Sequence, residues 1–346
     1  MKKIVTFGEI MLRLESYGYS RISQCGNFRV SFAGAEANVA VSLANYGMKV
    51  DYVSRYPDND ITQLCLSQLR VMDISINHSL LGGERLGILY LETGAVIRPS
   101  KVIYDRTGSS FVALTPGIIN WENVFENACW FHWTGITPAL SFSVADVCLE
   151  AVNYAKEKGL IISCDLNYRS SLWKYGKSAS EEMPMLVDKC DIVIDNEEDC
   201  DSVFGIRTEG IDVNKTNGII NTDKYVSVCA MMQQHFPNVR IISLTLRGAI
   251  NANHNTWQGI LFTKGRLLCS CKYDITHIVD RVGVGDSFSG ALIYGLLSNP
   301  DDKQKALEFA VATSCLKHTI QGDFNRFSVT EVNNLGFGNV SGRVQH

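Results

Sequence analysis

The sequence lacks the cysteine patterns of a disulfide-rich or zinc-binding protein. Its eleven cysteines are scattered over 346 residues, without a Cys-x-x-Cys pair or a repeated Cys/His spacing. The closest pair is Cys269 and Cys271, whose spacing predicts that both side chains lie on one face of a strand. Because free cysteine usually behaves as a small buried hydrophobic residue, we expect reduced cysteines and neither a structural metal nor a disulfide framework.

Long apolar runs and an excess of positive charge are also missing. No run approaches the roughly 20 apolar residues that a membrane helix needs. Glu9 and Arg13 interrupt the N-terminal apolar stretch, which favours a first core strand over a signal peptide. The net charge of -4 gives no basic field for nucleic acid or a membrane surface. With 46% hydrophobic and 20% charged residues, the chain is expected to be a cytoplasmic globular protein.

From about residue 120 onward, short apolar runs alternate with helical patterns. Strands are predicted at residues 128–133, 160–164, 191–195 and 239–246, and a helix over residues 142–158. Near-continuous apolar runs of this length indicate parallel strands that are buried on both faces. The sequence therefore predicts the α/β fold class, with helices on both sides of a parallel central sheet.

Two segments, residues 13–32 and 85–112, do not follow this rhythm. They contain alternating, aromatic-rich stretches with turn residues and little helical period. In the second segment, strict alternation predicts that Val102, Tyr104 and Arg106 lie on one face of a strand. These segments predict a small antiparallel sheet that is attached to the main domain as a lid.

The strongest motif is the run Asp-Arg-Val-Gly-Val-Gly-Asp-Ser-Phe-Ser-Gly at residues 280–290. Apolar residues follow at helical spacing, so Gly283 and Gly285 are expected at a helix N-terminus, where free N–H groups and the dipole favour an anion. Asp286 would repel a phosphate, but it can accept a proton from a hydroxyl while the N–H groups stabilise a transferred phosphoryl group. The alternatives are a helix-capping turn and a dinucleotide-binding motif, although the latter normally follows an early strand.

A second motif, residues 32–44, is rich in small residues. Close packing of a helix against a sheet is a sufficient structural reason for this pattern. Gly34 at the helix entrance would also allow a polyhydroxylated substrate to approach, and Asn38 offers a polar contact one turn later. Taken alone, this motif leaves both readings open.

Together, the two motifs resemble the signatures of the ribokinase-like (PfkB) carbohydrate kinase family. The resemblance implies a single three-layer α/β/α domain over residues 1–346, with a mainly parallel central sheet and a small β-sheet lid. It also implies that Asp286 is the catalytic base and that the N–H groups of residues 283–285 form an anion hole. Arg281 and Val284 stand where the family usually has threonine and alanine, and neither change removes a catalytic atom.

Further segments are similar to the 2-keto-3-deoxygluconate kinase branch of this family. They run from the first strand to the last residues, at 8–14, 34–40, 165–169, 245–247, 255–257, 280–283, 317–320, 322–325 and 341–345. The resemblance implies a sugar-acid pocket formed by Gly34, Tyr90, Tyr104, Arg106, Arg169 and Asp286, with Asp323 closing it and Asn38 as a further contact.

A sugar acid needs a cation for its carboxylate, and the planar fork of arginine suits that role. Arg106 would project from the lid beside Tyr104. Arg169 follows a core strand at its carboxyl end, where ligands of open α/β sheets bind. Without the resemblance, solvated surface positions would be the more ordinary reading of both arginines.

Residues 196–199 resemble the family's Asn-x-x-Glu element, which helps to organise magnesium and phosphate. Glu198 or Asp199 is then expected to hold Mg2+ through water, and the alternative is an acidic helix start. The expected ATP contacts are Asn196, Thr245, Arg247, Gly248, Gly283 and Gly285. A requirement for a monovalent cation such as K+ stays open.

The predicted reaction transfers the γ-phosphoryl group of ATP to the terminal primary hydroxyl of 2-keto-3-deoxygluconate, giving the 6-phosphate. The galactonate epimer stays open as the substrate. So do two other functions: a kinase of a neutral sugar or nucleoside, and a catalytically silent sugar-acid-binding protein, against which the intact Asp286 argues. The expected partners are the sugar acid and ATP, without nucleic acid or a membrane, and the resemblance implies a homo-oligomer that pairs through the lid.

Overall fold

The computed structural model of the protein describes residues 3–196, 198–206 and 222–338. A surface loop was expected over residues 205–221, and all but its first two residues lie outside the described part, as does the motif at 341–345. No described helix is both long enough and apolar enough to cross a membrane.

The elements are numbered in chain order within the described residues. The strands are β1 Lys3–Phe7, β2 Met11–Ser16, β3 Phe28–Ala33, β4 Val50–Val53, β5 Arg55–Tyr56, β6 Ile74–Ser75, β7 Leu80–Leu81, β8 Gly87–Glu92, β9 Lys101–Asp105, β10 Ala128–Thr134, β11 Ile161–Asp165, β12 Ile192–Asn196, β13 Ile241–Asn251, β14 His254–Thr263, β15 Arg266–Cys269 and β16 Tyr273–Ile275. The helices are α1 Ala35–Asn45, α2 Asp60–Val71, α3 Trp121–Val124, α4 Phe142–Glu157, α5 Ala179–Val187, α6 Asp199–Phe204, α7 Thr222–His235, α8 Val284–Ser298, α9 Lys303–Lys317 and α10 Val329–Phe337.

The central sheet has the strand order β15-β14-β13-β12-β11-β10-β1-β4-β6, and β16 joins it at β14. Neighbours from β13 to β6 are parallel, whereas β14 pairs antiparallel with β13, β15 and β16. The chain moves outward from β1 to β4 and β6, and later in the opposite direction from β10 to β13. The order therefore reverses between β1 and β10, and the carboxyl ends of parallel strands leave a crevice at such a reversal.

Helices cover both faces of this sheet. Each central strand packs against both helix layers, because its successive side chains point to opposite sides. In β10, Trp130 packs in a cluster with α1, α2, α8, α9 and α10, whereas Phe131 and Trp133 pack in a second cluster with α3 to α7. In β12, Ile194 belongs to the first cluster and Val193 to the second. One hydrophobic core thus lies on each side of a mainly parallel sheet, which confirms the predicted three-layer fold.

The small sheet that we interpret as the lid has four strands in the order β3-β2-β8-β9. Its strands coincide closely with the predicted segments 13–32 and 85–112. The predicted antiparallel pairing is wrong for one pair, since β2 and β8 run parallel. Between these strands the chain passes through α1, β4 and α2 of the main domain, and it re-enters the lid in the direction of β2.

Two local predictions also need correction. The strand predicted at 239–246 continues to Asn251, because it forms a long hairpin with β14. Cys269 is the last residue of β15, whereas the N–H of Cys271 donates to the Glu308 carboxylate of α9 at 3.1 Å. Only one of the two cysteines therefore lies in a strand.

Candidate active site

A cavity of about 800 Å³ opens at the carboxyl ends of β11, β12 and β13. The lid strands β8 and β9 form one side of it, and the N-terminal turns of α1 and α8 form another. Fifteen of the residues predicted for the site lie in its wall, namely Gly34, Asn38, Tyr104, Arg106, Arg169, Asn196, Glu198, Asp199, Thr245, Arg247, Gly283, Val284, Gly285, Asp286 and Asp323. Strand order and lid together bring these distant parts of the chain to one place.

Tyr90 does not belong to the cavity wall. Its neighbours Leu89 and Leu91 line the cavity, so alternation along β8 places Tyr90 on the outer face of the lid. There its ring centroid lies 6.1 Å from that of Phe28. The sequence prediction assigned the pocket to the wrong residue of this strand.

The first turn of α8 is the place where the sequence predicts an anion hole. Gly283 precedes the helix with a φ of 75°, and no side chain caps the helix there. A Cβ at Gly283 would clash with the backbone carbonyl of Asp323, whereas a Cβ at Gly285 would meet open space. The first N–H groups of a helix have no partner within it, so those of this turn are available to an anion in the cavity.

Asp286 lies in the same turn and is held by α1. Asn38 Nδ2 donates to Asp286 Oδ2 at 2.6 Å. The residue is partly accessible from the cavity, but its carboxyl lies deep in the protein, and burial raises its pKa to about 8. The Asn38 hydrogen bond opposes this shift, and the nearby carboxylates of Asp165 and Asp323 add to it. A carboxyl with a pKa near neutrality can exchange a proton at the working pH of an enzyme.

Arg13, from lid strand β2, forms the centre of a buried charge cluster next to this turn. The Arg13 side chain is fully buried, its Nη1 pairs with Asp323 Oδ1, and its Nη2 lies 2.7 Å from Asp280 Oδ2 and 3.0 Å from Glu15 Oε2. Asn38 Nδ2 is also 3.5 Å from Asp323 Oδ2. The lid is therefore linked through Arg13, Asp323 and Asn38 to the carboxyl at the start of α8.

Arg106 is fixed at the lid side of the cavity. Its Nη1 lies 3.2 Å from Glu9 Oε2, and its guanidinium carbon lies 4.9 Å from the ring centroid of Tyr104. Ser109 Oγ donates to the other oxygen of Glu9 at 2.5 Å. Arg106 is only 9% exposed, yet its Nε and Nη1 make no hydrogen bond within the described residues. The guanidinium is therefore oriented by Glu9 and Tyr104 in the cavity wall, and its Nε has no hydrogen-bond partner within the described residues.

Arg169 is exposed at the opposite edge of the cavity, directly after β11. Its Nη1 donates to the carbonyl of Tyr168 at 2.7 Å. The positive charge of Arg169 lowers the pKa values of Asp165 and Asp199, although burial has the larger and opposite effect on both. This second arginine therefore lies close to a group of acidic side chains.

Asp165, Asp195 and Asp199 form that acidic group at the ends of β11 and β12. Burial raises the pKa of Asp165 to about 7, and repulsion from Asp199 adds to the shift. Burial and Asp199 raise the pKa of Asp195 in the same way. Mutual repulsion of buried carboxylates fits a divalent cation, whose charge would relieve it. Within the described ranges, no three His, Cys, Asp or Glu side chains are arranged to coordinate a metal directly.

Asn196 organises the backbone beside this acidic group. Its Oδ1 accepts from the N–H groups of Glu198 at 2.9 Å and Asp199 at 3.2 Å. The Asp199 carboxylate accepts from the N–H of Tyr168 at 2.8 Å, whereas Glu198 is exposed to the cavity. Of the two predicted metal-binding carboxylates, Glu198 is thus the freer to move toward an ion.

Residues of β13 complete the cavity next to these acidic ends. Thr245 and Arg247 lie in the wall, whereas Gly248 does not. Alternation along the strand points Gly248 to the other face, where a Cβ would clash with Thr256 Oγ1. The close neighbour of Gly248 is thus the Thr256 side chain on the next strand rather than the cavity.

Arg281 and Arg247 bring two guanidinium groups together in the cavity wall. Arg281 is held by the β13–β14 hairpin, since its Nε donates to the carbonyl of Ala252 at 2.9 Å and its Nη2 to Asn255 Oδ1 at 3.0 Å. Burial lowers the pKa of Arg281, and the charge of Arg247 lowers it further. Two like charges on one wall favour an anion between them, such as a phosphate chain.

Gly34 has a structural reason that does not depend on any ligand. It precedes α1 in an extended conformation, and a Cβ there would clash with the backbone carbonyl of Glu9. The packing explanation of this glycine is therefore sufficient, although the residue also lies in the cavity wall.

Comparison with known proteins agrees with this geometry. A model of the pfkB family of carbohydrate kinases matches residues 1–325. The chain belongs to this family. The PfkB chain is 42% identical to the 2-dehydro-3-deoxygluconokinase of Thermotoga maritima, whose crystal structure superimposes with a TM-score of 0.91 over 97% of this chain and 98% of that one.

Two further relatives extend the comparison. A 2-dehydro-3-deoxygalactonokinase of Haloferax volcanii is 28% identical over 98% of both chains. A structure of a proposed ribokinase II from E. coli, in complex with ATP and Mg2+, shares the fold with a TM-score of 0.77 at 18% identity, covering 97% of this chain and 99% of that one. The protein is thus a carbohydrate kinase similar to 2-keto-3-deoxygluconate kinases, which confirms the family and the enzyme class expected from its motifs.

Sequence reasoning missed several residues of this PfkB site. Asp165 and Asn167 fall in a segment that drew attention only for Arg169, and both line the cavity. Asn167 has a positive φ of 40°, and its Oδ1 makes no hydrogen bond within the described residues. Arg13 could have been noticed as a charged residue at an inward position of an alternating strand. Its partner Asp280 was quoted as the first residue of a motif, without a role.

Proposed function

We propose that this PfkB kinase phosphorylates 2-keto-3-deoxygluconate with ATP and forms the 6-phosphate. Asp286 takes the proton of the terminal primary hydroxyl, whose oxygen forms a bond to the γ-phosphorus of ATP. The bond between that phosphorus and the β,γ-bridging oxygen breaks, and ADP leaves. The N–H groups of the first α8 turn stabilise the charge on the transferred phosphoryl group.

The observation that carries the choice of substrate is Arg106. Its guanidinium lies in the wall of the same cavity as Asp286 and is oriented by an ion pair with Glu9 and by the ring of Tyr104, and its Nε makes no hydrogen bond within the described residues. A buried donor without an acceptor is costly, so a substrate carboxylate that accepts from it gains binding energy. A neutral sugar offers only hydroxyl groups to this charge. Arg169 provides a second positive charge at the far edge of the cavity.

ATP and Mg2+ would occupy the end of the cavity near β12 and β13. Arg247 and Arg281 suit the phosphate chain, and Thr245 and Asn196 lie in the wall beside them. Glu198 or Asp199 would hold Mg2+ through water, since magnesium commonly keeps several waters and takes few protein carboxylates. The ion would neutralise phosphate charge during transfer.

A coupled ADP-release assay with MgATP tests the substrate. The acceptors are 2-keto-3-deoxygluconate, its galactonate epimer, ribose, fructose and adenosine. We expect the highest kcat/KM for one of the two keto acids. Equal or better use of a neutral sugar or adenosine would contradict the proposal, and an absence of ADP release with every acceptor would favour a binding protein without turnover.

Substitution of Arg106 tests the recognition of the carboxylate. Arg106→Ala should lower kcat/KM for the keto acid by about 10- to 100-fold, because a charge-assisted hydrogen bond is lost. The matched control is Arg85→Ala, since Arg85 pairs with Asp105 on the lid at 2.8 Å and lies outside the cavity wall. An equal loss in both variants would mean that the effect comes from lid stability rather than from carboxylate binding.

We also propose that two copies pair through the outer face of the lid. Strand pairing aligns Val30, Leu14, Tyr90 and Ile103 in one row across the four strands. Val30 is 52% exposed and Ile103 is 42% exposed, so the row offers an apolar surface. In a two-fold dimer, the same row of a second copy would pack against it.

Analytical ultracentrifugation of the wild type and of Ile103→Lys tests this pairing. We expect a dimer that the substitution dissociates. A matched control is Val71→Lys on α2, where the side chain is 87% exposed outside the lid, and this variant should keep the dimer. A monomeric wild type would refute the pairing.

A further inference from the structure

Lys317, the last residue of α9, is fully buried. Its Nζ makes no hydrogen bond within the described residues, and the side chain does not reach the cavity wall. Lysine is almost never fully buried unless it is paired, and desolvation of its ammonium is expensive. Burial accordingly lowers the pKa of Lys317. The burial of the Lys317 ammonium therefore needs a functional explanation.

The charges around Lys317 belong to the active-site turn. Its electrostatic neighbours are the carboxylates of Asp280, Asp323 and Asp286 and the guanidinium of Arg13. The carboxylates raise the pKa of the ammonium against the larger effect of burial, and Arg13 lowers it. Three acidic groups from outside its own helix therefore act on this buried cation electrostatically, and none of them forms a hydrogen bond with it.

Asp280 and Asp323 determine the shape of the loop that leads into α8. Asp280 Oδ1 accepts from the N–H of Val282 at 3.0 Å, and its Oδ2 accepts from the N–H of Gly322 at 2.9 Å. The carbonyl of Asp323 lies against Gly283, where a Cβ would clash with it. Displacement of either acidic residue would thus move the N–H groups that are proposed to hold the phosphoryl group.

The end of α9 is also joined directly to this loop. The carbonyl of His318 accepts from the N–H groups of Val279 at 2.8 Å and Asp280 at 3.4 Å. These bonds fix the residue that follows Lys317 to the start of the active-site motif. The helix end that carries Lys317 is therefore held against this loop by backbone contacts.

The charge balance explains what the ammonium does there. Arg13 alone pairs with three carboxylates, Glu15, Asp280 and Asp323, and Asp286 lies nearby. An excess of negative charge behind an anion hole would repel the phosphoryl group that the hole has to bind. A second fixed cation reduces that excess, and it does so without a diffusible ion.

We infer that Lys317 is a positioning residue for phosphoryl transfer: its ammonium is a built-in cation that balances Asp280 and Asp323 behind the turn, in place of a bound monovalent cation. The inference rests on the proposed function only in that ATP donates the phosphoryl group, and it holds for any acceptor in the cavity. It predicts that turnover does not depend on which monovalent cation is present.

The first test is a comparison of wild-type turnover in K+, Na+ and choline buffers of equal ionic strength, with saturating MgATP. The acceptor is whichever sugar of the panel the wild type phosphorylates. We expect the same kcat in all three buffers, and a strict requirement for K+ would overturn the inference. A wild type that prefers a neutral sugar would refute the proposed substrate alone, because the cation comparison is then made with that sugar.

The second test removes the charge. Lys317→Met keeps most of the buried volume, and we expect kcat per folded protein to fall by about 10- to 100-fold with little change in the KM of the sugar. Lys317→Ala leaves room for a small cation, so NH4+ or K+ should raise its kcat whereas choline should not. The matched control is Thr313→Val on α9, whose hydroxyl accepts a hydrogen bond from the neutral Tyr46 hydroxyl at 3.2 Å and carries no charge. This variant should lose stability without gaining cation dependence. Wild-type kcat in Lys317→Met, or an alanine variant that no small cation activates, would overturn the inference.

Discussion

Replacement of Asp286 by asparagine should change activity and stability in opposite directions. Burial raises the pKa of this carboxyl from an ordinary value of 3.8 to about 8, the Asn38 hydrogen bond opposes the shift, and Asp165 and Asp323 add to it. Because the folded pKa is higher than the unfolded one, the folded state binds the proton more tightly. The group's contribution to stability is therefore complete below pH 4 and is lost as the pH rises through 8. Asparagine has no charge to bury, so the variant avoids this loss.

The magnitude follows from the pKa difference. Between the two pKa values the wild type loses up to about 1.4 kcal/mol of unfolding free energy per pH unit. Because Asp286 is partly accessible from the cavity, screening by water reduces the total effect to about 1 to 3 kcal/mol. For a chain of this size, that corresponds to a rise of about 1 to 4 °C in Tm for the variant at pH 9. At pH 4 the two proteins should melt at nearly the same temperature. The asparagine oxygen can still accept from Asn38, so this hydrogen bond is kept.

Thermal unfolding of both proteins without ligands, at intervals from pH 4 to pH 9, tests the stability effect. Asp301→Asn, in the exposed loop before α9, is the matched control and should show no comparable pH-dependent gain. Turnover of Asp286→Asn should fall by at least about 100-fold, while sugar binding measured by calorimetry stays largely intact. In the wild type, kcat/KM should rise with pH up to about 8, because the ionised carboxyl is the active form. A stability gain that shrinks with rising pH would refute the burial argument, and near-normal turnover would refute the assignment of the base.

Three further substitutions test other parts of the site. Asn38→Ala removes the donor that stabilises ionised Asp286, so the acid limb of the kcat/KM profile should move to higher pH, with a loss of about tenfold at pH 7. Gly283→Ala combines a left-handed φ with a backbone clash and should lower the unfolding free energy by about 2 to 4 kcal/mol in urea titrations. Gly285→Ala meets open space, so it should preserve stability but lower kcat/KM, and equal destabilisation of both glycine variants would contradict this distinction. Arg247→Ala should raise the KM of ATP by about tenfold in initial-rate assays and leave that of the sugar unchanged, and the reverse pattern would place the nucleotide elsewhere.

The fold was predictable because its signals are local and repeated. Each buried parallel strand is a short apolar run, and β10, β11 and β12 all begin within two residues of the predicted starts. The edge of the sheet was less predictable. The apolar pattern of β13 resembles that of the parallel strands, although its second neighbour is the antiparallel β14. A strand's own residues do not specify the direction of the partner that a hairpin supplies.

The proposed catalytic end of the site rests on a sequence pattern with few combined explanations, namely glycine, glycine and aspartate at one helix start. The lid was harder to place. Alternation indicated which residues of β9 share a face, and Val102, Tyr104 and Arg106 do line the cavity together. In β8 the alternation did not show which of the two sets of side chains faces the cavity. A difference of one residue moves a side chain to the opposite face. Tyr90 was misplaced for that reason.

The charge cluster behind the active-site turn was beyond the reach of sequence patterns. Arg13 and Asp323 are 310 positions apart, and the ion pair of Arg13 with Glu15, two residues later in β2, gives no sign of this distant partner. These two side chains meet only when three segments are folded together: the lid strand β2, the loop before α8 and the segment after α9. Strand β2 is therefore connected, through Arg13 and Asp280, to the loop that leads into the first turn of α8. We expect Arg13→Met to reduce kcat more than it raises the KM of the sugar, because the pocket wall stays in place while the turn loses its support. An effect on KM alone would mean that Arg13 holds the lid over the sugar without acting on the turn.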